Sequence, residues 1–131
     1  MKASTFIIDD VDTTRSLIRL LLKSTPYEVV GESDTLLGAF QKLVVTKPDL
    51  IILDVEMPDG NGIDAIPNLR AILPDVTVVV ASAHNDAGSV RSALQMGAHG
   101  YLLKPFTPGA LEDAIAGAWR RSGKAHLPPY T

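Results

Sequence analysis

"DLIILD", Asp49 to Asp54, sets four apolar residues in a row between two carboxylates. A strand with one wet face alternates apolar and polar side chains; this run does not. Unbroken apolar character over that length belongs to a central parallel strand covered by helices on both faces. Outward from it, strand-like runs at Thr5–Ile8, Val29–Glu32, Leu50–Leu53, Val76–Ala81 and Tyr101–Leu103 alternate with segments of helical period. The helices are expected at about Thr13–Ser24, Thr35–Thr46, Gly62–Leu73, Asp86–Met96 and Pro108–Ser122. Five such units predict an α/β fold: a doubly wound, five-stranded parallel sheet with right-handed crossovers. The first helix should pack Leu17, Leu20 and Leu21 on the sheet, the second Leu36, Phe40, Leu43 and Val44, and the fifth Leu111, Ile115 and Trp119. Pro67 removes a backbone donor inside the third helix and is expected to kink or split it.

The bulk composition narrows the function classes. The chain has 131 residues, 46% of them hydrophobic and 21% charged, with a net charge of -3. That suits one soluble domain with its own core, and it offers no basic field for nucleic acid or anionic lipid. Cysteine is absent, which excludes disulfides, thiolate metal sites and Cys nucleophiles and agrees with a reducing compartment. The opening "MKASTFIIDD" has only a short apolar run that ends in acid, so neither a signal peptide nor a membrane span is expected. A cytoplasmic location is expected. The end, "SGKAHLPPYT", carries Gly, two prolines and no periodicity. One folded domain over 1–121 and an extended tail or linker stub over 122–131 are therefore expected.

In open parallel sheets, ligands sit beyond the carboxyl ends of the strands. There the sequence places Asp9-Asp10 after strand one, Asp54 at strand three, Ser82 at strand four and Lys104-Pro105 at strand five. Each alone has an ordinary role, as a helix cap, a turn residue or a surface charge. Together they differ, because three carboxylates in one crevice repel one another unless a cation compensates. A hard divalent ion held by oxygens, such as Mg2+, meets that need. A carboxylate that accepts a phosphoryl group needs the same surroundings: a metal, a fixed ammonium and a hydroxyl donor. Asp10 and Asp54 with Mg2+, Lys104 and Ser82 supply them.

Through "IIDD", "LIILDVEMPDGNG", "VVVASA" and "GAHGYLLKPF", in that order and spacing, the chain resembles the receiver domain of two-component response regulators, of the chemotaxis-receiver type. The resemblance covers about Lys2 to Arg121. It implies a flavodoxin-like (βα)5 fold with strand order 2-1-3-4-5. It further implies that Asp54 takes a phosphoryl group from a phosphohistidine on a sensor histidine kinase or phosphotransfer protein, forming an acyl phosphate. Asp10 and Asp54 would ligate Mg2+, Asp9 would act through a water, and the backbone carbonyl of Glu56 would complete the protein ligands. Ser82 matches the switch hydroxyl, Lys104 the phosphate-pairing lysine, and Tyr101 the switch aromatic that turns inward. Met57-Pro58 and Gly60/Gly62 match the pocket wall, where Gly opens backbone angles closed to other residues. Lys104-Pro105 matches a cis peptide, and Glu56 and His84 match positions that tune phosphoryl lifetime. Phosphorylation would alter the face of the fourth helix, fifth strand and fifth helix, toward an output domain, a target protein or a homodimer. The first helix would carry kinase specificity. Such a domain is not an enzyme beyond its own phosphorylation and slow autodephosphorylation.

Two rivals share parts of this pattern. Asp10-Val11-Asp12-Thr13-Thr14 spells D-x-D-x-T, the signature of HAD-like phosphatases, with Asp10 as nucleophile and Asp12 as general acid. That reading leaves Asp54 without a role and puts the late acids Glu112-Asp113 inside a helix. An FMN-binding module shares the sheet, but three carboxylates after strand one would repel its phosphate. In the receiver reading Asp12 is expected to cap the first helix. The chain could equally be the receiver portion of a longer DNA-binding regulator.

Overall fold

A computed structural model describes residues 2–124. At its centre is Leu50–Asp54 (β3), every residue buried, paired in parallel with Ala3–Ile8 (β1) on one side and Thr77–Ser82 (β6) on the other. Tyr27–Ser33 (β2) pairs with β1, and Gly100–Leu103 (β7) with β6, also in parallel. The sheet order is β2-β1-β3-β6-β7. Glu56–Met57 (β4) and Gly60–Asn61 (β5) form only a small antiparallel ladder beside it. Setting that ladder aside, the order is the expected 2-1-3-4-5. The helices are Asp12–Leu22 (α1), Leu36–Thr46 (α2), Gly62–Ile72 (α3), Ala87–Gln95 (α4) and Pro108–Arg121 (α5).

Successive side chains of a strand point to opposite faces, so each central strand feeds two cores. Phe6, Ile8, Ile51 and Leu53 pack with Leu43 of α2 and Ile66 and Leu69 of α3. Ile7, Leu50 and Ile52 pack with Ile18 and Leu22 of α1 and with Leu111, Ile115 and Trp119 of α5. Trp119 is buried as expected and meets Tyr27 edge-on, with ring centroids 6.3 Å apart.

Several local expectations are corrected. α1 buries Ile18 and Leu22 together with Arg15, while Leu17 and Leu20 are exposed. Arg15 lies on the buried side, bonded to Glu32 and the Asp9 carbonyl. In α2, Ala39 takes the place expected of Val44, which is half exposed. α3 runs unsplit through Pro67, flanked by the fully buried Ile66 and Leu69. Asp12 does not cap α1 either: Val11 holds that position without a side-chain bond, and Asp12 is the first helical residue. The other helices are capped by Thr35, Asn61, Asp86 and Thr107. After α5, the Lys124 N–H donates to the Trp119 carbonyl, and its ammonium reaches the Asp49 carbonyl at 3.0 Å. The rest of the expected tail, 125–131, lies outside the described residues. Among the described residues no helix is long and apolar enough to cross a membrane.

His99 closes the start of β7 onto β6. Its N–H donates to the Val78 carbonyl at 2.8 Å, and its Nδ1 accepts from the Val78 N–H at 3.0 Å. Burial, reinforced by Arg70, Lys124 and Arg121, lowers its pKa from 6.5 to about 4. Between those values the unfolded chain binds a proton that the folded one refuses, so stability is full above the upper value and falls as pH drops through the window. Chemical denaturation at about pH 7 and 5 should therefore show a loss of stability in the wild type. His99→Asn should lose less over the same interval, and an equal loss in both would show that His99 does not set it.

Candidate functional site

The acidic crevice is built where β1, β3, β6 and β7 end. Asp9 and Asp54 are buried at 2% and 8% exposure, whereas Asp10 faces outward. One carboxylate oxygen from each of the three lies within 4.8 Å of the others. Lys104 reaches in from the end of β7, with Nζ 2.7 Å from Asp9 Oδ2 and 3.4 Å from Asp54 Oδ1. Burial alone would lower the Lys104 pKa, but the bonds to both carboxylates outweigh it and raise it. Asp54 is raised, first by burial and then by Asp9, with Lys104 opposing. The ammonium makes its shorter bond to Asp9, so burial of Asp54 is opposed but not cancelled. Three carboxylates face a single ammonium, in a donor set made only of oxygens. A hard divalent cation fits that set, and the exposed Asp10 opens it to solvent.

Asp10, Asp54, Glu56, Met57, Pro58, Ser82 and Lys104 line one crevice of about 480 Å3, so residues far apart in sequence meet as expected. The Lys104–Pro105 peptide is cis. Gly60 adopts φ +152°, as a glycine in the wall loop should, but Gly62 is required for a different reason. A Cβ there would lie 2.1 Å from the Asp54 carbonyl oxygen. Its N–H donates to the Val55 carbonyl at 2.7 Å, and Asn61 caps α3 beside it, so the loop folds back against the residue that carries the central acid.

Ser82 is 2% exposed at the end of β6, and its Oγ accepts from the His84 N–H at 3.0 Å. The Tyr101 hydroxyl donates to the His84 carbonyl at 2.6 Å. His84 Nε2 lies 2.7 Å from Glu56 Oε1, and that bond raises the imidazole pKa. Glu56 and His84, read separately from the sequence, are thus partners across the mouth of a second cleft of about 410 Å3 that Ser82 and Tyr101 also line.

Two contributors were missed. Arg15 is buried, donates from Nη1 to the Asp9 carbonyl at 2.6 Å and from Nε to Glu32 at 2.9 Å, and pairs with Asp12. Its one sequence signal is a cation in the first turn of a helix, where the dipole disfavours it. Asp59 accepts from the Leu36 N–H at 2.8 Å and the Leu37 N–H at 2.9 Å, fastening the wall loop to the start of α2. No local pattern announces a bond across 23 positions.

Residues 5–116 match the family model of the response regulator receiver domain. The chain belongs to this family. It is 34% identical over 109 residues to the chemotaxis protein CheY of Thermotoga maritima, covering 83% of this chain and 91% of that one. It is also 37% identical to the KDP operon transcriptional regulatory protein KdpE of Escherichia coli, covering 93% of this chain and 53% of that protein. Among solved structures, the receiver domain of the putative response regulator NarL from Mycobacterium tuberculosis superposes with a TM-score of 0.78 at 34% identity, over 87% of this chain and 93% of that one. The beryllofluoride-activated NtrC4 receiver dimer superposes with a TM-score of 0.83 at 28% identity, over 91% and 98%. As a receiver, the chain is a signalling domain of the kind that is phosphorylated on aspartate. The phosphatase alternative falls with this assignment: Asp12, its general acid, is tied to Arg15 on an exposed helix start.

Gly62→Ala is expected to destabilise the receiver toward the upper end of the ~1–3 kcal/mol typical of overpacking, because the obstacle is backbone. Gly109→Ala, which meets nothing within 4 Å, should be neutral or slightly stabilising. Urea midpoints of the two variants give the comparison, and equal midpoints would show that the loop yields freely.

Proposed function

We propose that Asp54 is the phosphoryl acceptor, taking the group from a phosphohistidine of a sensor kinase or phosphotransfer protein. The observation that carries this reading is its placement: a buried carboxylate ending the central strand, 3.4 Å from Lys104 and within reach of two further acids. The Asp54 oxygen attacks phosphorus, a P–O bond forms as the P–N bond breaks, and the departing imidazole takes up a proton. Lys104 opposes the upward shift that burial gives Asp54 and pairs with the incoming phosphoryl oxygens. Mg2+ held by Asp10, Asp54 and the Glu56 carbonyl, with Asp9 behind them, would neutralise charge on the phosphoryl group. Ser82 Oγ accepts from His84 and keeps its own proton to donate to a phosphoryl oxygen.

The same residues carry the signal outward. Ser82 is bonded to the His84 amide and Tyr101 to its carbonyl, so a shift of Ser82 toward phosphate moves the support of Tyr101. The α4–β7–α5 face is then the surface presented to a target protein or output domain. The working compartment is the cytoplasm, whose reducing environment agrees with a chain lacking cysteine. Glu56 and His84 guard the pocket mouth and set how readily water reaches the acyl phosphate.

Incubation with acetyl phosphate and Mg2+ should give hydroxylamine-labile label in the wild type, none in Asp54→Asn and little in Asp10→Asn. Label that persists in Asp54→Asn but vanishes in Asp10→Asn would falsify the assignment, and multiple turnover of a phosphate ester would favour a phosphatase. Glu56→Ala and His84→Ala remove the same bond and should shift the dephosphorylation rate in the same direction. Rates unchanged in both across about pH 6 to 8 would remove the guarding role.

A further inference from the structure

α2 shows a largely uncharged apolar side to solvent. Its outer side carries Leu37, Val44 and Val45, exposed by 65%, 51% and 81%. The exposed Gln41 lies between them, so Leu37, Gln41 and Val44 succeed one another at spacings of four and three along a single stripe. The helix has one charged residue, Lys42, and its ammonium is turned aside to the Glu32 carbonyl at 2.8 Å. Val44 also lines a groove of about 490 Å3 whose apolar floor, with Pro48, Ile72, Leu73 and Pro74, is edged by the charged Lys47, Asp49, Asp75 and Lys124. A contiguous apolar stripe without charge at its centre is the pattern of an interface core.

The ends of the stripe identify its occupant. Asp34 is exposed just before α2, and Lys47 is exposed at its C-cap. A second copy laid antiparallel therefore sets acid against base at both ends and opposes the two helix dipoles. A bilayer surface is a poor match, because the chain is acidic, with net charge -3, and an anionic surface would repel it.

We propose that α2 is a self-association surface, through which two copies of this chain pair antiparallel about a two-fold axis at Gln41. Leu37 of each copy faces Val45 of the other, the two Gln41 amides meet on the axis and fix the register, and Asp34 stands beside Lys47 of the second copy. Pairing through one short helix makes a small interface, so the dimer is weak and reversible. The proposal does not depend on which residue is phosphorylated.

Sedimentation of the full chain over rising concentration should show reversible dimerisation. Leu37→Lys and Val45→Glu should each abolish it, with circular dichroism confirming that both variants fold. Combining the two should restore it, because the new charges face each other across the axis. The chain contains no cysteine, so Gln41→Cys should oxidise to a disulfide-linked dimer, while Ser92→Cys on α4 should not. A chain that stays monomeric and uncrosslinked at Gln41→Cys overturns the proposal. So does association that survives both single variants, or cross-linking that favours Ser92→Cys. Capture of another protein's helix by a monomeric chain overturns it equally.

Discussion

An ammonium held between two buried carboxylates organises this molecule. Burying Asp9 and Asp54 side by side raises the cost of their charges, and a single lysine 2.7 Å from one and 3.4 Å from the other offsets only part of it. The remaining negative charge is of the kind that a divalent cation held by oxygens would compensate. Lys104 can reach both acids only because β1, β3 and β7 end on the same side of the sheet. The parallel topology and the chemistry are thus a single constraint.

The surroundings of the acids are built to hold that arrangement. Arg15 pulls the Asp9 carbonyl toward α1, and the absence of a side chain at Gly62 lets the wall loop press against the Asp54 carbonyl. Neither residue lines the crevice, yet each fixes the backbone on which an acid stands. A carboxylate displaced by a fraction of an ångström would leave the lysine paired with one neighbour and the other unsatisfied.

The sequence showed the strands and the converging acids because those depend on local patterns, while the strand order came from the family resemblance. "DLIILD" is read from a continuous apolar run, and each strand end from the polar residues that close its run. What the sequence hid depends on distance. Leu17 and Leu20 look like a buried stripe, yet the buried face holds Arg15, Ile18 and Leu22, and Arg15 is bonded there to Glu32, 17 positions away. Gly62 looked like a residue chosen for its backbone angles, while the structure shows that its role is the space a Cβ would occupy. The Glu56–His84 bond spans 28 positions, so two residues that looked independent turned out to be one contact.

The wall loop after Asp54 is fastened on two sides by bonds of different kinds. Toward α2, the Asp59 carboxylate accepts two backbone N–H groups at a helix N-terminus, an arrangement favoured by the dipole and fixed by backbone geometry. Toward α4, the loop is held by one bond between the Glu56 and His84 side chains, both exposed and screened by solvent. The second fastening is the softer of the two. A disturbance that begins at Asp54 should therefore leave α2 in place and be taken up at His84, which also supports Ser82 and Tyr101. By that asymmetry, the α4 side of the loop is the one expected to yield first.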